Sequence, residues 1–280
     1  MSLFNRWKKS KNPDLPNAFS NEKIPVHLEV HLAQSLGVTR NHMEDAIYAL
    51  NLKALSPNEQ FTLGIFMVAD GMGGHMHGEV ASSIAIQATA SSLLKTLVEP
   101  LQAGEKTFSH DEMHKLLENA VQGAQDAVLS QVNGGGTTLT VALVLNKTLH
   151  FAHVGDSRLY LTSETQPLKV LTLDHSLVQR LVELGQISQD DAADHPQRNV
   201  LFRALGQQEG FKTDIGHLEL SEPCTLLLCS DGLWGLVSQD QLSDRINNGN
   251  DYKEMAQSLV EMANSAGGTD NISAILVRIS

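Results

Sequence analysis

Cysteine, aromatic residues and long apolar runs are scarce in this 280-residue chain, and each shortage argues against a class of protein. The two cysteines, Cys224 and Cys229, stand five positions apart in one apolar run. On an extended strand they would point to opposite faces, too far apart to bridge, so a reduced cytoplasmic setting is predicted. No run of about 18 apolar residues and no apolar N-terminal signal core is present, which argues against export and stable membrane insertion.

Positive charge is also in short supply, with 20 Lys and Arg against 32 Asp and Glu and a net charge of −12. A phosphate backbone would be repelled, so the sequence argues against a nucleic-acid partner. A small basic group lies within residues 1–22, which are polar and predict a flexible N-terminal tail. Docking of this tail to a membrane surface or a partner is the alternative. No linker divides the rest, so residues 23–280 predict a single domain.

Hydrophobic periodicity predicts runs of strands with helices gathered in pairs. This order favours an α+β fold over a parallel, doubly wound sheet, and two antiparallel sheets covered by helix pairs would fit it. Residues 174–208 instead show short, polar helical patterns, as in an excursion over one edge of the core. Strands are predicted at 24–34, 46–52, 61–69, 137–145, 149–154, 158–162, 168–173, 214–220, 225–230 and 272–279, and helices at 78–98, 111–132, 239–247 and 252–266.

Acidic residues recur at or just beyond the predicted strands, and they are the chemistry-bearing feature of the sequence. Asp70 ends an apolar run and precedes a glycine-rich turn, where the Gly71 carbonyl can itself bind a hard metal ion. Asp231 repeats this arrangement, and Asp270 precedes the last strand. Ordinary turn residues are the alternative for each taken singly. With Glu44 and Asp45, they form a set of carboxylates that a two-metal hydrolase requires.

Taken together, these motifs resemble the metal-dependent protein serine/threonine phosphatases of type 2C (the PPM family), specifically their compact bacterial branch. The resemblance runs from about Glu29 to Ile279, and its motifs follow the family's order and spacing. The matching segments are residues 40–45, 70–75, 136–138, 154–158, 174–177, 195–199, 230–233 and 269–271.

The resemblance implies a four-layer α-β-β-α sandwich, two central antiparallel sheets flanked by helix pairs, with two Mn²⁺ or Mg²⁺ ions at one end. A water that bridges the two cations would lose a proton and attack phosphorus in line. By motif position, Asp70 would bridge both ions, Asp231 and Asp270 would bind the first, and Glu44 with the Gly71 carbonyl the second. Asp45 would orient the water and Arg40 would grip the substrate phosphate.

Further positions follow from the same resemblance. Asp156 with Asp231 matches a third, weaker metal site, and Asn199 falls where some relatives offer an oxygen to that ion. The alternative for Asp156 is a β-turn carboxylate. Residues 176–203 correspond to the family's flap beside the active site.

The sequence departs from many eukaryotic relatives at Met72, where they carry a histidine assigned as the general acid. His75 lies three residues later and cannot inherit that role by alignment. It is kept as a candidate substrate-binding residue, with an ordinary turn histidine as the alternative. Water would suffice to protonate the leaving oxygen.

The sequence therefore predicts a cytoplasmic hydrolase that acts on phosphoserine and phosphothreonine in phosphorylated proteins, with a bacterial serine/threonine kinase as its counterpart. A non-catalytic regulator that keeps the fold and binds phosphoproteins is the alternative. Loss of a metal-binding acid would have favoured it, and none is missing. Phosphatases of the anti-sigma partner-switching type are a third hypothesis, but such relatives generally lack the arginine found here as Arg40.

Overall fold

The structure is a computed structural model that describes residues 26–55, 60–73, 76–104, 108–193, 195–208, 211–220, 223–249 and 251–280. The predicted tail, residues 1–22, and His75 lie outside the described residues. Across the described ranges, none of the helices combines the length and the apolar content that crossing a bilayer requires.

Strands and helices are bounded as follows. The strands are β1 (Leu28–Ser35), β2 (Asp45–Leu55), β3 (Gln60–Met72), β4 (Gly136–Thr137), β5 (Leu139–Leu145), β6 (Thr148–Val154), β7 (Arg158–Ser163), β8 (Lys169–Val170), β9 (Asp214–Glu219), β10 (Cys224–Cys229) and β11 (Ile272–Ile279). The helices are α1 (Met76–Leu93), α2 (Glu99–Gln102), α3 (His110–Gln131), α4 (Leu177–Glu183), α5 (Gln189–Ala193), α6 (Asp231–Trp234), α7 (Gln239–Asn247) and α8 (Tyr252–Ser265).

Two antiparallel sheets form the centre of the fold. One has the order β1-β11-β10-β7-β8 and the other β2-β3-β5-β6-β9, with the short β4 paired to β3. Side chains from both sheets meet in one buried layer, for example Phe66 of β3 and Ile275 of β11. The alternation of β10 shows how this layer arises, because Leu226 and Leu228 face the other sheet while Leu227 faces the helices.

Helices cover the outer face of each sheet. Helices α1 and α3 pack on the six-stranded sheet, and α6, α7 and α8 pack on the five-stranded sheet. The predicted α+β sandwich of two antiparallel sheets and helix layers is therefore confirmed. Cys224 and Cys229 form no disulfide and are buried in different layers, as the strand periodicity predicted.

The helix predicted over residues 78–98 differs in detail. After α1, residues Leu94–Val98 form a π-helical turn that leads into α2. Pro100 has no N–H to donate to the carbonyl four residues before it, which disfavours a regular α-helix at this point. The wider turn leaves Leu94 37% exposed while Leu97 is fully buried.

Candidate active site

Acidic residues from distant parts of the chain meet where strand ends of the two sheets come together. Asp45, at the start of β2, is the register partner of Asp70, near the end of β3. Asp231 is the first residue of α6, separated from β10 by Ser230, and Asp270 stands two residues before β11, the strand beside β10. Because adjacent strands run antiparallel, the end of one lies beside the start of its neighbour, which gathers these acids at one edge.

Asp70 and Asp231 lie near each other, and each of them shifts the pKa of the other. Burial raises the pKa of both groups, and the nearby charges of Asp45 and Asp156 raise that of Asp70 further. Two threonines, at the end of β4 and just after it, hold the backbone of Asp70 in place. The N–H of Asp70 donates to Thr138 Oγ1 at 2.9 Å, and Thr137 Oγ1 donates to the carbonyl of Asp70 at 2.9 Å. This explains the Gly-Thr-Thr motif at residues 136–138.

Asp45 is buried and held by two serines. Ser230 Oγ donates to Asp45 Oδ2 at 2.7 Å, and the N–H of Ser273 donates to Ser230 Oγ at 3.0 Å. Burial raises the pKa of Asp45 to about 7, against the lowering effect of these hydroxyl groups, with the charges of Asp231 and Asp270 adding to the rise.

Asn271 fixes the segment that carries Glu44, and sequence reasoning did not assign it a role. Its side-chain oxygen accepts from the N–H of Glu44 at 2.7 Å. Its amide nitrogen donates to the carbonyls of Leu36 and His42 at 3.0 and 3.1 Å. The signal was its place directly after Asp270 in a matching motif, but no spacing rule links it to residues more than 200 positions away.

Glu44 lies against two glycines. A Cβ atom at Gly71 would collide with the carbonyl oxygens of Gly78 and Glu44, and one at Gly78 would approach Glu44 Oε2 to 2.8 Å. Glu44 Oε1 also lies 2.8 Å from His42 Nε2. Glycine at both positions therefore lets the end of β3 approach the start of α1 beside this carboxylate.

Arg40 is the half-exposed cation at the edge of the cluster. Its Nη2 atom lies 2.7 Å from Asp270 Oδ2, with 44% of the arginine side chain exposed. The charges of Asp270, Glu44 and Asp70 raise its pKa against the lowering effect of burial. The guanidinium therefore stays charged, and part of it faces solvent.

The clustered carboxylates have the chemistry that divalent cations require. Within the described ranges, no group of three or more His, Cys, Asp or Glu side chains is placed, as the side chains stand, to hold a metal ion. Yet Asp231 Oδ1 is buried without a hydrogen-bond partner, although buried polar atoms are normally satisfied. Several buried carboxylates that repel one another and an unpartnered oxygen are the surroundings in which a divalent cation is favourable. The donor set fits the expected metals.

Several known proteins similar to this chain are serine/threonine phosphatases by name. The profile of the family described as protein phosphatase 2C matches residues 51–277. The chain belongs to the protein phosphatase 2C family. This phosphatase 2C chain is 36% identical over 241 residues to the serine/threonine phosphatase stp of Listeria welshimeri, which covers 86% of this chain and 92% of the relative.

Solved structures show the same phosphatase 2C fold. The serine/threonine phosphatase of S. agalactiae superposes with a TM-score of 0.78 at 28% identity, over 90% of this chain and 99% of that one. The catalytic domain of the serine/threonine protein phosphatase PstP, in complex with two manganese ions, gives a TM-score of 0.73 at 29% identity, over 91% and 99% of the two chains.

Asp156, the residue matched to a third ion in this phosphatase 2C chain, borders the carboxylate cluster. Burial raises its pKa, and the charges of Asp231 and Asp174 raise it further. Its carbonyl accepts from Trp234 Nε1 at 2.9 Å. Asn199, the other residue matched to that ion, is exposed in a turn, and no hydrogen bond or ion pair of the described residues joins it to the carboxylates.

Arg158 has a structural position. Its Nε and Nη2 atoms donate to the Asp174 carboxylate at 3.0 and 2.7 Å, and its Cζ lies 3.6 Å from the ring centroid of Trp234. The side chain thus joins β7 to the residue that leads into the 176–203 segment and to α6.

Proposed function

We propose that this phosphatase 2C chain hydrolyses phosphoserine and phosphothreonine in phosphorylated proteins. The observation that carries the proposal is the cluster of carboxylates at one end of the sandwich, in which Asp231 has a buried unpartnered oxygen and Arg40 stands beside it. A phosphate group has the charge and the oxygens that such a metal-filled site and an arginine recognise.

The residues that would hold two Mn²⁺ or Mg²⁺ ions are Glu44, Asp70, the Gly71 carbonyl, Asp231 and Asp270, and Asp156 with Asp231 would hold a third. Such ions would supply a water of lowered pKa as the nucleophile and would offset charge on the phosphate oxygens. Mutual repulsion among Asp70, Asp231 and Asp156 supports this assignment, because it disappears once cations neutralise them.

The remaining roles belong to side chains alone. Arg40 would bind the substrate phosphate with its exposed guanidinium, exchanging part of its pairing with Asp270. Asp45 would orient the attacking water, since Ser230 already fixes its carboxylate. Met72 stands where many relatives carry histidine, and it has no proton to give, so the leaving oxygen would take its proton from water.

The segment 176–203 would act as a flap that selects substrates. It contains the short helices α4 and α5 and is closed at its base by the bridge between Ser176 and Leu201. Four apolar side chains around it are exposed, which suits contact with a protein substrate. They are Leu173, Leu184, Val200 and Phe202. Residues 23–280 would form a single domain. The phosphorylated substrates would be produced by a serine/threonine kinase.

Hydrolysis of para-nitrophenyl phosphate by the purified protein in Mn²⁺, Mg²⁺ or EDTA tests this function. We expect turnover with either metal and none in EDTA. Calorimetry with Mn²⁺ separates the alternative of a non-catalytic phosphoprotein-binding regulator. Metal binding without turnover of this ester or of a phosphopeptide would contradict the proposed hydrolase and favour the regulator.

A further inference from the structure

Four histidines from three elements gather on the helix-covered face of the six-stranded sheet, away from the carboxylates. His110 and His114 lie one turn apart at the start of α3, and His150 of β6 is the register partner of His217 of β9. Helix α3 packs across both strands, which brings the four rings together. A stacking contact involves two rings, so a group of four imidazoles suggests a further role.

The spacing of these rings matches that of a metal site. In a tetrahedral site with Zn–N bonds of about 2.0–2.1 Å, ring centroids lie about 3.2 Å from the ion and about 5.2 Å from one another. Here the centroid separations run from 4.3 Å for His110–His217 to 6.3 Å for His114–His150. The other three measured pairs fall between them, at 5.0, 5.4 and 5.7 Å.

Two of the nitrogens already stand at ligand spacing. His114 Nε2 lies 3.0 Å from His217 Nδ1, close to the separation of about 3.3 Å between neighbouring ligands of a tetrahedral ion. In the present arrangement one hydrogen occupies the space between them. As the described side chains stand, no group of three or more of them is placed to hold a metal ion, so the exposed rings of His110 and His217 have to turn inward on binding.

His150 supplies the observation that points to a ligand. It is 97% buried, given its relative exposure of 3%, yet its Nδ1 atom has no hydrogen-bond partner. Buried polar nitrogens normally find a partner, and an imidazole nitrogen is the commonest protein ligand of late first-row metal ions.

A carboxylate lies ready to support the site. Glu219 Oε1 stands 3.9 Å from His110 Nε2, and Thr148 Oγ1 donates to the same oxygen at 2.8 Å. Metal-bound histidines commonly donate their second N–H to such a carboxylate, which orients the ring. Thr148 thus holds Glu219 in reach of the ligand expected to move most.

We propose that His110, His114, His150 and His217 form a binding site for a late first-row divalent ion of the zinc class, separate from the carboxylate cluster. Nitrogen ligands select this class over the Mn²⁺ or Mg²⁺ that oxygen ligands prefer. Four residues of strand, about 13 Å, separate His150 from Val154, the end of β6 nearest to Asp156. A bound ion would join α3 to β6 and β9.

Copper(II) is the probe, because affinity for nitrogen sites peaks at Cu²⁺ and its electron paramagnetic resonance spectrum reports bound nitrogen. Excess Mg²⁺ is present to occupy the oxygen ligands. We expect one equivalent of Cu²⁺ to bind with nitrogen couplings from at least three imidazoles. Zn²⁺ added alone should raise the melting temperature, and Cu²⁺ should then displace it.

The double variant His110→Gln/His217→Gln alters only exposed side chains, so its circular dichroism should match the wild type. We expect its Cu²⁺ affinity to fall by more than about 100-fold, since even loss of a supporting residue costs 10–100-fold. His27→Gln changes an exposed histidine outside the cluster and should bind as the wild type does. An oxygen-only spectrum, or unchanged affinity in the double variant, would overturn the proposal.

Discussion

Asp156 is a residue that costs the folded chain stability at neutral pH. Its pKa is raised by burial and by Asp231 and Asp174, so the folded protein binds more protons than the unfolded chain above the ordinary value of 3.8. Stability of the metal-free protein therefore falls as pH rises through this window. We expect Asp156→Asn to raise the unfolding free energy by about 0.5–2 kcal/mol at pH 8, measured by urea titration in EDTA.

The gain should shrink as the pH falls towards 3.8, because the wild-type Asp156 carboxyl group takes up its proton above that pH. Asp126→Asn is the matched control, since Asp126 is exposed on α3, where Gln122 donates to it at 2.9 Å. A destabilised Asp156→Asn protein at pH 8 would show that this carboxylate is stabilised by its surroundings rather than strained.

Asn271 is the residue on which the position of Glu44 depends. Asn271→Ala would leave the N–H of Glu44 and two carbonyl groups without partners. We expect a loss of about 2–4 kcal/mol in unfolding free energy and weaker Mn²⁺ binding by calorimetry. Asn119→Ala, at an exposed position of α3, should change neither. Wild-type stability and metal affinity in Asn271→Ala would refute the proposed role of the Asn271 hydrogen bonds.

Among single residues, the acidic side chains of the candidate site were predictable from the sequence. The neutral side chains that hydrogen bond to them were not. Asp70, Asp231 and Asp270 follow or precede apolar runs, and this pattern is visible along the chain. The contacts of Asn271 and Ser230 join positions 185 or more residues apart, and both side chains are neutral. Neutral polar residues are common in turns, so their long-range contacts leave no periodic signal.

At the scale of elements, Arg158 connects β7, α6 and the base of the proposed flap. Lysine cannot reproduce its two bonds to Asp174 or its stacking on Trp234. We expect Arg158→Lys to lower the unfolding free energy by about 1–3 kcal/mol in thermal or urea unfolding. Arg180→Lys, in the exposed pair with Glu183, should change it by less than about 0.5 kcal/mol. Equal effects would contradict the connecting role.

Helix and strand boundaries were predictable where capping residues mark them in the local sequence. Helix α7 begins after Ser238, which accepts from the Gln241 N–H in a capping box, and both of its ends agree with the prediction. The turn after α1 was not predicted, because periodicity assumes one helical repeat throughout, whereas Leu94–Val98 widen to a π turn. The strand predicted at 168–173 is shorter in the structure, where only β8 forms, and the strand predicted at 137–145 is divided into β4 and β5.

At the scale of the whole molecule, the buried His153 should make the fold sensitive to acid. Burial and the neighbouring His175 lower its pKa to about 3. Its Nε2 atom lies 3.1 Å from the Leu173 carbonyl, which only accepts, so Nδ1 carries no proton. Since the unfolded chain binds a proton near pH 6.5 and the folded chain does not, stability should fall as pH drops from about 6.5 towards 3.

The contribution of His153 can reach about 1.4 kcal/mol per pH unit within that window. Urea unfolding of wild type and His153→Gln across pH 4–8 isolates it, because the other titrating groups are common to both proteins. The difference between the two curves should be constant above pH 7 and change steadily below 6.5. A constant difference over the whole range would refute the assignment.

The two-sheet architecture was predictable from the order of strands and helices, but the strand order was not. Residues 28–35 and 272–279 pair along their full length, so the two ends of the described chain form adjacent strands β1 and β11. Such pairing is decided by burial in the layer between the sheets, where many apolar strands would fit equally well. The family resemblance implied the four layers but gave no strand order.

The carboxylates at the end of the sandwich are proposed to hold the ions that drive phosphate release. Phosphate released from a phosphothreonine peptide in Mn²⁺ should be compared for wild type, Asp231→Asn and the exposed control Asp126→Asn. We predict that Asp231→Asn loses more than about 100-fold in kcat/KM while Asp126→Asn keeps wild-type activity. Activity of Asp231→Asn within a few-fold of wild type, or wild-type activity that persists in EDTA, would contradict the claim.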